Sequence, residues 1–151
     1  MQAQIKKRTI SAGYWTTTIL IALAFLTGGA AYLARADAPV RGIVELGYPA
    51  YFVTILGTWK VLGGLAILAP RLPRLKEWAY AGIAFDLSGA AFSHAATGDP
   101  VLKVIVPLVL LVIAAASWAL RPASRKLGAM TDEPAISRTG AYETRAAMTS
   151  S

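Results

Sequence analysis

Along this chain of 151 residues, polar and apolar positions alternate in whole segments rather than turn by turn. Four apolar runs, near residues 14–33, 50–68, 78–97 and 101–120, are separated by short polar stretches. Each run is about the length a helix needs to cross a hydrocarbon core of roughly 30 Å. Pro49, Pro70, Pro73 and Pro100 stand in the stretches between them, where they stop helices or open a first turn. The pattern predicts an all-α protein, an integral membrane four-helix bundle with antiparallel, up-and-down helices. Residues 1–13 form a basic N-terminus, 14–122 a transmembrane domain, and 123–151 a polar tail without an apolar period that is expected to be disordered.

Three local features refine these boundaries. The first run precedes Ala34-Arg35-Ala36, which has the form of a signal-cleavage site, but its roughly twenty residues exceed the 7–15 of a signal h-region, so an uncleaved helix is expected. A short interfacial turn is expected at Ile43–Leu46. In the last connection, Asp99 is expected to cap the fourth helix with Pro100 in its first turn, and Pro107 to kink that helix.

Two charges interrupt the central runs. Lys60 lies eight residues before Leu68 and Asp86 eight residues after Trp78, so at about 1.5 Å per residue both sit roughly 12 Å from the same membrane face. Gly57 and Gly64 share a helix face with Lys60, and Gly82, Gly89 and Ser93 share one with Asp86. Small residues let helices approach closely in lipid, so both charges are expected to point inward and meet. Two readings of the pair stand side by side. One is a structural ion pair that fixes helix register. The other is part of a ligand pocket or proton path.

Composition narrows the class further. Apolar residues make up 56% and charged residues 15%, while the net charge of +7 resides next to the apolar runs and not along one polar face. That placement argues against nucleic acid and for a lipid bilayer as the basic residues' context. Lys6, Lys7 and Arg8, then Arg71, Arg74 and Lys76, then Arg121, Arg125 and Lys126 mark one side, which places both termini in the cytoplasm. With no cysteine and one histidine, neither a thiolate metal site nor bis-histidine haem ligation within one chain is available. No metal site is expected. His94 and Ser93 stand toward the outer end of the third run, where His94 is a candidate proton carrier, and Trp59 adjoins Lys60 at a depth suited to walling a pocket for a flat ring.

The residues Gly47-Tyr48-Pro49, Ile55 to Lys60 (ILGTWK), Pro70 to Gly82 (PRLPRLKEWAYAG), Phe85-Asp86-Leu87, Ser93-His94 and Gly98-Asp99 resemble the DoxX-like family of small bacterial four-span membrane proteins. The resemblance is close over residues 45–100 and rests on length and order in the first and fourth runs. It implies a multi-pass protein of the bacterial cytoplasmic membrane. The family takes its name from a membrane subunit associated with thiosulfate:quinone oxidoreductase, so the resemblance implies a redox-associated subunit with a quinone-like lipid near Lys60, Asp86 and Trp59. A membrane oxidoreductase partner or a homo-oligomer is the assembly it implies. Two other functions fit the residues: a non-enzymatic membrane scaffold in which the pair is structural, and a small proton-coupled transporter.

Overall fold

The computed structural model describes residues 1–70 and 72–122, and the predicted tail over 123–151 lies outside the described residues. Among the described residues there are five helices and no strand: α1 (Gln2–Leu33), α2 (Asp37–Glu45), α3 (Phe52–Leu68), α4 (Pro73–Ala96) and α5 (Val101–Ala119). Two of them, over Arg8–Leu33 and Val101–Ala119, are long and apolar enough to cross a membrane, and Phe52–Leu68 is apolar but shorter. Helix α4 is long, yet Arg74, Lys76, Glu77 and Asp86 lower its hydropathy.

The first loop departs from the expected short turn. Its polar residues form the nine-residue helix α2, which buries Ile43. Gly47 ends α2 at φ 87°, with the Tyr48 amide on the Ile43 carbonyl and the Gly47 amide on that of Val44. This six-to-one and five-to-two pairing needs a left-handed residue, a conformation glycine adopts without a Cβ clash. Gly98 closes α4 in the same way, drawing the Asp99 amide onto the His94 carbonyl. Asp99 is therefore committed to the end of α4 and does not cap α5, whose N-cap is Pro100 without a side-chain bond. Pro107 sits buried within α5.

The four long helices contact one another in ring order: α1 beside α3 and α5, α4 beside the same two. Residue pairing gives antiparallel neighbours. Gly29 meets Gly57 while Ala22 and Leu26 meet Gly64, and Gly13 meets Leu120 while Thr18 meets Ser117. The core at the centre of the ring comprises Ile21, Ala22, Phe25, Ile67, Tyr80, Ile83, Leu87 and Ala114. Contact is most extensive between α1 and α3 and least extensive, among the four neighbouring pairs of long helices, between α3 and α4.

Glycine placement explains the difference. A Cβ on Gly57 would stand 3.0 Å from the Gly29 carbonyl oxygen, and one on Gly64 3.0 Å from Leu26 Cγ, so these residues serve the α1–α3 contact. Gly82 and Gly89 have nothing within 4 Å of such a Cβ. The expected small-residue packing beside Asp86 is thus absent, and α3 and α4 stand apart where it was placed.

Candidate functional site

The gap between α3 and α4 is a cavity of about 520 Å³. Leu56, Lys60, Gly63 and Ala66 line its α3 side; Leu75, Gly82 and Asp86 line its α4 side, and Phe25 of α1 reaches its floor. It lacks side chains at Gly63 and Gly82, which gives it depth. Its rim carries Trp59, Trp78 and Phe85, which are 68%, 79% and 79% exposed. Those rings face outward, so the cavity opens sideways, away from the bundle axis.

On this floor Lys60 and Asp86 meet. Lys60 Nζ donates to Asp86 Oδ2 at 2.5 Å, and the two side chains retain 16% and 17% exposure. The ammonium also lies 4.5 Å from the centre of the Phe25 ring, whose π face favours a cation. Lys60 is thereby held from α4 by an opposite charge and from α1 by an aromatic face. The root of its side chain is packed closely as well, because a Cβ at Gly29 would stand 3.0 Å from Lys60 Cβ.

Lys60, Asp86 and Trp59 share the cavity; Ser93 and His94 do not. Ser93 Oγ is 2.9 Å from Tyr48 Oη, which joins α4 to the connection before α3. His94 Nδ1 is 2.7 Å from Asp99 Oδ2, and Lys103 Nζ donates to Asp99 Oδ1 at 2.9 Å. The hydrogen bonds with His94 and from Lys103 hold the Asp99 carboxyl below its ordinary range. This cluster lies where α4 ends and α5 begins and has no part in the cavity. Among the described residues, no group of three or more His, Cys, Asp or Glu side chains comes together as metal ligands do.

Three polar arrangements escaped sequence reasoning. Lys76, counted there only as a basic flank, is fully buried; its Nζ donates to the Ile67 carbonyl and, at 3.3 Å, to that of Ala66. It satisfies the last carbonyls of α3, where the helix dipole favours a cation. Ser117 Oγ lies 2.6 Å from Thr18 Oγ1 and 2.7 Å from Tyr80 Oη, joining α1, α4 and α5 in a buried junction. Glu77 accepts from Trp118 Nε1 at 2.9 Å and from Arg121 Nη2 at 2.8 Å. Burial pushes the Glu77 carboxyl up, but these two bonds and the Arg121 charge outweigh it and leave the group below its ordinary range. The polar residues themselves are visible in the sequence, but their partners lie on other helices and only the fold supplies them.

No curated protein and no solved structure matches the chain. The sequence model described as the DoxX-like family matches residues 16–117, which takes in α2, α3, α4 and most of α1 and α5, with the Lys60–Asp86 pair and the cavity between α3 and α4. Covering more than half of the sequence, that match makes the chain a membrane protein that belongs to the DoxX-like family.

Proposed function

We propose that this protein is a four-span subunit of the bacterial cytoplasmic membrane, with both termini cytoplasmic, that holds a quinone-like lipid between α3 and α4 beside a membrane oxidoreductase. The observation that carries the reading is an ion pair at the floor of an apolar cavity whose mouth faces outward. Large apolar side chains point outward from all four long helices, among them Leu23, Leu62, Phe92 and Val112, as lipid-facing residues do. A flat ring suits a site walled by Trp59, and a volume of 520 Å³ lies in the range of small-molecule sites, about 300–1,000 Å³. Lys60 is placed to donate to a ring carbonyl, and Asp86 to accept from the hydroxyl of the reduced ring. A scaffold in which the pair is purely structural is the alternative that the tests separate from this reading.

Quinones quench indole fluorescence, and two of the four tryptophans, Trp59 and Trp78, line the cavity. In lipid nanodiscs, titration with a decyl-substituted benzoquinone is expected to give saturable quenching. It should persist in the Trp15→Phe, Trp118→Phe double variant and weaken about tenfold in affinity in Gly82→Leu, which fills the cavity while leaving Lys60 and Asp86 in place. Unaltered quenching in Gly82→Leu would mean that the quinone merely partitions into the bilayer, and the proposal would fail.

Topology is checked separately. Reporter fusions after residues 73 and 125 are expected to read cytoplasmic, and fusions after 40 and 99 external. An external signal at 73 would overturn the four-span orientation.

A further inference from the structure

The cavity floor carries one positive and one negative charge, in contact with each other, and among the described residues lining the cavity no other charged side chain occurs. Phe25, Leu56, Ile83 and Phe85 contribute hydrocarbon, and the nearby glycines contribute no side-chain dipole. An incoming anion would be met by Lys60 but also by Asp86 at the same point, and an incoming cation by the reverse. Neither gains a net counter-charge, while each must leave water or the headgroup layer for a low-dielectric site. A neutral polar group loses little by the same transfer, and it can accept from the Lys60 ammonium while the pair stays intact.

We infer that the ion pair acts as a charge filter: the cavity takes an uncharged, single-tailed lipid with a carbonyl-bearing head, admitted sideways from the hydrocarbon layer, and rejects anionic and cationic amphiphiles of the same length. The inference rests on reading the cavity as a lipid site and extends it to the class of head group. Lateral access follows from the outward-facing rim of Trp59, Trp78 and Phe85. Tail placement follows from the cavity's long axis. From Asp86 to Leu75, both lining residues, α4 advances about 16 Å, so a head at the pair leaves an apolar channel for a tail toward the Trp78 end.

The full-length protein in neutral detergent is incubated with five probes that share a ten-carbon tail: decylbenzoquinone, decyl phenyl ketone, decyl sulfate, decyltrimethylammonium and decane. Bound adducts are counted by native mass spectrometry. The wild type is expected to retain the quinone and the ketone, and the two charged probes about tenfold less well. Asp86→Asn leaves Lys60 without its counter-charge and is expected to turn the preference to decyl sulfate; Lys60→Met is expected to turn it to decyltrimethylammonium. Equal retention of sulfate and ketone by the wild type overturns the inference, whatever the variants do. So does retention of decane equal to that of the ketone, or a preference unchanged in variants that stay folded. Retention of the ketone without the quinone upholds the charge filter and overturns the quinone reading.

Discussion

Replacing Lys60 by Met, or Asp86 by Leu, is expected to cost about 3–5 kcal/mol of stability, and replacing both to recover most of that loss. Each partner sits at the centre of an apolar surface with only 16% and 17% of its side chain exposed, so removing one leaves the other either charged without a partner or forced neutral. The double variant strands nothing. Its cost is the Phe25 contact and the hydrogen bond, each on the order of 1 kcal/mol. Reversible unfolding in mixed micelles gives the four values of a double-mutant cycle. Additive losses would mean that the two side chains are energetically independent, contrary to their contact. The same double variant separates function from structure: retained stability with lost quinone quenching assigns the pair to the site, and retained quenching assigns it to the scaffold.

The second large effect is expected at Gly29. A Cβ there would stand 2.8 Å from Val61 Cγ2, 2.9 Å from the Gly57 carbonyl oxygen and 3.0 Å from Lys60 Cβ. Two of these atoms belong to backbone or to the first side-chain carbon and cannot turn aside, so α1 and α3 must separate. Gly29→Ala is expected to cost about 1–3 kcal/mol, and Gly29→Leu more, by the usual scale of overpacking. Gly82→Ala meets nothing within 4 Å and gains helix propensity, so it should be neutral or stabilising by up to about 1 kcal/mol. Unfolding in the same micelles checks both. A loss at Gly82→Ala as large as at Gly29→Ala would contradict the separation of α3 from α4.

The contrast between these glycines marks what the sequence made legible. Equal depth of Lys60 and Asp86 follows from helical rise and a short proline-rich connection, both local quantities, and in the structure the two side chains are in contact. Which neighbour Gly57 and Gly64 pack against is not local. Small residues flank both charges, yet those on α3 face α1 while those on α4 face open space, because packing partners depend on helix rotation and ring order. Asp99 gives the same lesson at an end of a helix. A capping residue before Pro100 and a closing residue after Gly98 have one sequence, and the left-handed glycine decides for closure. His94 and Ser93 share the charged helix with Asp86 but meet Asp99 and Tyr48 nearer its end, so proximity in sequence did not become proximity in the site.

Lys76 sets the mechanics of the cavity. By holding the Ile67 and Ala66 carbonyls from the first turns of α4, it pins the two helices at one end, and the cavity between them extends from there to the Lys60–Asp86 pair. Helix α3 is coupled tightly to α1, and α4 to α5. Any separation of the walls is expected to be a rotation of one helix pair against the other about Lys76, a hinge rather than a parallel slide. Lys60 stands seven residues along α3 from Ile67, a lever arm of about 10 Å, so a rotation of about 10° widens the floor by about 2 Å. Strain from an oversized occupant of the cavity would therefore fall on the ion pair and not on the pinned end.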